Sequence, residues 1–178
     1  MFLEKEVYGK YICLKAVSEE DAEFTAKLRA DDNLNKHIHK VDTTIDGQKK
    51  YINAQRNKDN DYYFIIWSLS GEALGTIALY NIKSGSGELG RWVSYGNALQ
   101  NLESIILIHD IAFDILKLKT VFTCTNITND RVISFWNRFG SDEKYVEEEE
   151  DFTASKNIVS ENTYKTTIRP RMEKLLRY

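Results

Sequence analysis

Residues 71–94, GEALGTIALYNIKSGSGELGRWVS, limit the folds open to this chain more than any other stretch. Apolar and β-branched runs over 73–83 and 87–94 are separated by a short Ser/Gly turn, and a third run, YYFIIWSLS over 62–70, precedes them across SGE. Strands joined by connections this short pair antiparallel. Downstream, Leu102, Ile105, Ile106, His109, Ala112, Phe113 and Leu116 recur at helical spacing, and Ile108 and Ile111 widen the apolar arc. A largely buried helix therefore leads to the next strand, KTVFTCT over 119–125. Strand, buried helix, strand after an antiparallel series makes a mixed sheet in which the strands near 90 and 122 run parallel.

The remaining segments extend this pattern. Residues 11–17 read as a strand, and SEED at 18–21 is a capping box that opens a helix to about residue 30. Asp46 is placed as the cap of a second helix ending near Arg56, and NKDND over 57–61 is a turn. NDRVISFWNRFG over 129–140 is a helix closed by Gly140, while EKYVEEEEDF over 143–152 and TYKTTI over 163–168 are expected to form a polar terminal hairpin. The expected order is β, α, α, β, β, β, α, β, α, β, β. This is an α/β (α+β) fold: a mixed, mostly antiparallel twisted sheet flanked by about four helices. With one proline and no Ser/Gly/Pro-rich linker, residues 1–178 read as a single domain.

Composition removes several function classes. Lys and Arg (24) nearly balance Asp and Glu (27), so the net charge of -3 offers no basic field for nucleic acid. Cys13 and Cys124 lie in strand-like runs, which suits small buried thiols in a reducing compartment better than a disulfide framework. The first residues lack the apolar core of a signal peptide, and no 18-residue apolar run follows, so a cytoplasmic chain without membrane insertion is expected. His37 and His39 have no third ligand at suitable spacing, and no metal is expected. His109 falls on the buried helix face as a satisfied core histidine, and the EEEED run over 147–151 is a solvated strand end.

Three blocks, GEALGTIALY, then ELGRWV before a helix ending IAFDILKL, then TNITNDRVISFWNRFG, together resemble the GCN5-related N-acetyltransferase (GNAT) superfamily over roughly residues 62–141. The resemblance implies an acetyl-CoA-dependent enzyme acting on a primary amine. In this family two parallel strands, here 88–94 and 119–125, splay apart so that the pantetheine arm bonds their backbone as an added strand would. It implies an oxyanion-type backbone contact near Trp92, Val93 or Ser94, so that Ser94 stands with the catalytic group as well as the cofactor groove. Pyrophosphate is expected at the helix N-terminus formed by Asn97, Ala98, Leu99, Gln100 and Asn101. Leu99 and Asn101 stand where the family has glycines, and Asn97 with Gln100 has the spacing of a capping box.

By the same resemblance Glu88 is the general base, with Gly90, Trp92 and Ser94 on its face of the strand by alternation. Asn129 matches an asparagine that touches the cofactor arm, with simple N-capping of the helix as the alternative. Trp136 stands where relatives have a proton-donating tyrosine, and an indole is no practical proton donor, so the general acid is left open and Trp136 either walls the pantetheine channel or fills the core as a helix aromatic. Arg29, His37, His39 and Tyr80 are the candidate acceptor contacts. LRADDNLNKHI, YYFIIW and ESIILIHDIAF resemble the bacterial enzymes that acetylate a nucleotide-linked amino sugar for surface polysaccharides. An N-terminal peptide, an antibiotic or polyamine acceptor, and a non-catalytic CoA-binding or partner-binding module on the same fold stay open. So does a homodimer through the terminal strands.

Overall fold

The computed structural model describes residues 5–38 and 40–176. Its strands are β1 (Val7–Tyr8), β2 (Ile12–Ala16), β3 (Tyr62–Ser68), β4 (Ala73–Lys83), β5 (Ser86–Ser94), β6 (Thr120–Asn126), β7 (Glu143–Glu148) and β8 (Thr153–Ser160). They form one sheet in the order β1-β2-β3-β4-β5-β6-β8-β7, antiparallel throughout except for the parallel pair β5–β6. The helices are α1 (Ala22–Ala30), α2 (Asp32–Asn35), α3 (Ile45–Arg56), α4 (Ala98–Asp110) with a π-helical continuation (Ile111–Ile115), and α5 (Asp130–Phe139). A C-terminal helical run follows: α6 (Glu161–Thr163), a π-helical turn (Tyr164–Ile168) and α7 (Arg169–Leu176).

Both faces of the sheet are covered, which is why β3 reads as an unbroken apolar run. Tyr62, Phe64 and Ile66 pack with α4, α5 and the C-terminal helices, while Tyr63 and Ile65 pack with Val17, Ala22 and Ile52 on the opposite face. Burying each such side chain contributes about 1.5–3 kcal/mol. Helix α4 supplies the crossover that a parallel pair needs, and its residues 103–109 are all buried. One of them is Glu103, whose carboxylate accepts from the backbone N–H groups of Lys10, Tyr11 and Ile12 at 2.7, 2.7 and 2.9 Å. That contact ties the entry to β2 onto α4.

Two expectations are corrected. Thr44, not Asp46, is the N-cap of α3, its Oγ1 accepting from the Gly47 N–H at 3.1 Å. TYKTTI is helical, and the partner of β7 is β8 over 153–160. The physical cause is tertiary: the buried Tyr164 donates to the Ile106 carbonyl (3.0 Å) and to Asp110 (2.8 Å), while Arg169 grips Asp110 through two bonds of 2.8 and 2.9 Å. These contacts outweigh the strand preference of Tyr, Thr and Ile.

Candidate active site

The parallel ladder between β5 and β6 runs from Ser86↔Thr120 to Leu89↔Thr123 and stops. Beyond it β5 continues beside β4 to Ser94, and β6 continues beside β8 to Asn126. The facing edges of 90–94 and 124–126 are thus released from each other. A β-bulge marks the place: Ala78↔Gly90 and Thr76↔Val93 leave Ile77 opposite two residues, Arg91 and Trp92. Arg91 takes a left-handed conformation at φ 49°, and its carbonyl accepts from Thr76 Oγ1 at 2.8 Å.

The bulge reverses the strand's alternation, so Trp92 does not share a face with Glu88 as a regular strand would require. Trp92 packs against Phe135 and Trp136, with ring centroids 5.1 and 6.1 Å away, on the α5 side. Arg91 takes its place beside Glu88. Its guanidinium lies 4.4 Å from the centroid of Tyr80 and binds Asp61 through both nitrogens at 2.6 and 2.9 Å. The Asp61 side chain is 1% exposed, so this is a desolvated, two-pronged pair. Asp61 and Arg91 were not identified from sequence, since a polar turn and a strand arginine separated by thirty residues give no local signal.

Glu88 faces Tyr80 directly across the β4–β5 ladder. Tyr80 Oη donates to Glu88 Oε1 and Asn81 Nδ2 to Oε2, both at 2.8 Å. Burial, and then the charge of Glu88, hold the Tyr80 phenol far above its ordinary pKa. Cys124 stands on the facing strand, its thiol pushed up to about 11 by burial and then by Glu149 and Glu88. A Cβ at Gly90 would fall on the Tyr80 hydroxyl, so only glycine leaves room for the pair.

A cleft of about 1110 Å³ joins these groups. Glu88, Tyr80, Trp92, Asn129, Trp136, Arg29 and His37 all line it, together with Lys36 and Tyr51. The segment after α2 roofs it: His37 Nδ1 lies 3.0 Å from Thr128 Oγ1 across the opening. Trp92 Nε1 and Thr123 Oγ1, both buried, have no hydrogen-bond partner among the described residues, and both residues line the cleft where the ladder ends. Among the described residues, Arg29 and Lys36 are not held in an ion pair. Lys156 at the other end is neutralised by Glu147 and Glu149.

Other candidates lie outside this lining. Ser94 Oγ accepts from the Gly96 N–H at 2.8 Å, and Val93 is buried. At the start of α4, Asn97 Oδ1 accepts from the Leu99 and Gln100 N–H groups (3.0 and 3.1 Å), and Gln100 Oε1 accepts from the Asn97 N–H (2.9 Å). Asn101 Nδ2 donates to the Gly96 carbonyl at 2.7 Å, and Ala98 is exposed. The capping box read from sequence is therefore formed. Asn129 caps α5 through the Val132 N–H at 3.3 Å while still lining the cleft. His39 lies outside the described residues. His109 is buried, with Nδ1 donating to the Ile105 carbonyl (2.7 Å) but Nε2 unpartnered among the described residues.

Comparison with known proteins matches this arrangement. The family model described as an acetyltransferase (GNAT) domain matches residues 12–142. Among solved structures, the chain is similar to apo FdhC, a nucleotide-linked sugar GNAT, at 26% identity and a TM-score of 0.80, with 98% of each chain covered. It is also similar in fold to a GCN5-related N-acetyltransferase from Brucella melitensis, at 14% identity, a TM-score of 0.82 and coverage of 98% of this chain and 86% of that one. A spermidine N-acetyltransferase from Vibrio cholerae, solved with CoA and spermine, gives 15% identity and a TM-score of 0.76 over 89% of this chain and all (100%) of that one. No curated protein sequence matches. With three quarters of its length in the matched region and a splayed parallel strand pair at the centre of its sheet, the chain belongs to the GNAT acetyltransferase family.

Proposed function

We propose that the protein is an acyl-CoA-dependent N-acetyltransferase whose acceptor is the primary amine of a nucleotide-linked amino sugar. The observation that carries this reading is the continuity of the cleft. The same walls run from the open end of the β5–β6 pair, past Glu88 and Tyr80, to Arg29, Lys36 and His37.

The residues present suit the pantetheine arm of acetyl-CoA. The released edges of 90–94 and 124–126 offer backbone groups to an added strand, and the orphaned Trp92 Nε1–H and Thr123 hydroxyl would be satisfied by its amide oxygens. Acetyl-CoA supplies an acetyl group activated as a thioester. The chain's own contribution begins with Glu88, which accepts a proton from the amine directly or through one water. The cations Arg29 and Lys36 suit the diphosphate of a sugar nucleotide, and the half-exposed ring of Tyr51 offers a face to its base or sugar. The similarity to a nucleotide-linked sugar GNAT over nearly the whole chain supports the same acceptor class. Release of CoA thiol, measured with nucleotide-linked amino sugars, spermidine and peptides with free N-termini, tests this assignment. Turnover confined to spermidine or peptides would remove it.

One observation favours a second reading, a non-catalytic module. Pyrophosphate needs free amides at the start of α4, and Asn97 holds two of them. Calorimetric titration with acetyl-CoA decides: an absence of heat up to millimolar ligand supports the module.

A further inference from the structure

We propose that Tyr80 is the proton donor to the departing sulfur, working with Glu88 as a two-residue relay. This rests on the acetyltransferase reading above. Both oxygens of Glu88 already accept a hydrogen bond, one from Tyr80 Oη and one from Asn81 Nδ2. An amide NH₂ can only donate, whereas a phenol oxygen can also accept. A proton arriving on Glu88 Oε1 therefore reverses only the Tyr80 bond: Oε1–H donates to Oη, and the phenolic proton is released to another acceptor.

The position of Oη sets which acceptor that is. It lies over Gly90, so closely that a Cβ there would overlap it, and Gly90 is the first residue past the last β5–β6 ladder pair. The phenol thus stands at the mouth of the open strand pair, on the side where Glu88 lies. Its ring is fixed from one face by the Arg91 guanidinium, itself clamped by Asp61. Two other aromatic groups are unsuited: Trp136 carries an indole, and Tyr164 is buried against Asp110. Burial and the neighbouring carboxylate keep the Tyr80 phenol protonated at rest, so it gives its proton up only as it receives another.

The step balances. The neutral amine nitrogen bonds to the carbonyl carbon, the carbon–sulfur bond breaks and its electron pair goes to sulfur. The amine proton passes to Glu88, the Glu88 proton to Tyr80 Oη, and the original Tyr80 proton to sulfur. The net result is an amide and a free thiol, with carboxylate and phenol restored.

Tyr80→Phe tests this with two acyl donors and a binding isotherm. Acetyl-CoA binds Tyr80→Phe within about threefold of the parent, while turnover falls by ~10²- to 10⁴-fold. The selenium analogue of acetyl-CoA releases a selenolate, a weak base that needs no proton, and with this donor the loss is less than about tenfold. In the Tyr80→Phe/Glu88→Gln double variant the losses are far from additive, because the two residues act as one unit. Equal losses with both donors, additive losses, or full turnover by Tyr80→Phe would overturn the proposal. If the parent itself shows no acetyl-CoA isotherm, the acetyltransferase reading fails and the relay falls with it; if the parent binds and turns over but Tyr80→Phe matches it, the relay alone fails.

Discussion

At the scale of single residues, the site depends on three neighbours on β5 that differ in what they do. On the proposed reading Glu88 accepts the amine proton, so Glu88→Gln lowers kcat by ~10²- to 10⁴-fold, with the larger loss at acidic pH, where a free amine is scarcest; a thiol-release pH profile checks this. Gly90 holds space for the Tyr80 hydroxyl. Gly90→Ala pushes that hydroxyl off Glu88 and lowers kcat at least about tenfold, whereas an unaltered kcat would show that the 2.8 Å contact is idle in turnover. The place of Glu88 in the cleft lining could be read in sequence because the family's strand is recognisable. That of Arg91 could not, because alternation assumes an unbroken ladder and one extra residue at the bulge exchanges the faces of Arg91 and Trp92.

At the scale of elements, the bulge on β5 is pinned to the residue just before β3. Removing Asp61 leaves the Arg91 guanidinium desolvated without its anion, so Asp61→Ala costs about 3–5 kcal/mol in urea unfolding. The Asp61→Ala/Arg91→Met double variant recovers most of that loss, because the stranded charge is gone. The start of α4 gives a second test. Asn97→Gly frees the Leu99 and Gln100 amides at a cost of only a few tenths of a kcal/mol in stability, and acetyl-CoA binds the variant several-fold more tightly by calorimetry. Weaker binding would mean that the Asn97 side chain itself holds phosphate. The Asn97–Gln100 cap could be read in sequence because it is local. The TYKTTI segment was misread because its composition favours a strand, although Tyr164, Ile168, Met172 and Leu176, all buried, repeat every four residues and carried the helical signal.

At the scale of the whole molecule, two helical layers close on the sheet, and His109 lies where α4 meets the C-terminal helices. It is stacked on Tyr164 with centroids 5.1 Å apart, and burial lowers its pKa to about 4. The unfolded chain holds a proton on this histidine below about 6.5, while the folded chain refuses it down to about 4. Stability is therefore fully present above pH 6.5 and is lost between there and pH 4, by on the order of 3 kcal/mol. Melting curves of His109→Met show a flatter dependence over that range; an unchanged slope would exclude the histidine as its source. The mixed sheet and its parallel pair followed from the order of strands and the long apolar helix. At the far end of the cleft Arg29 and His37 were named from sequence, whereas Lys36 and Tyr51 were not, because they come from the turn after α2 and from α3 and meet only in the fold. The most direct test of the whole reading mixes the protein with acetyl-CoA and a nucleotide-linked amino sugar and follows CoA thiol. Thiol release matched by one acetyl group gained on the sugar amine is the predicted result; acetyl-CoA binding with no thiol released from any such sugar would contradict it.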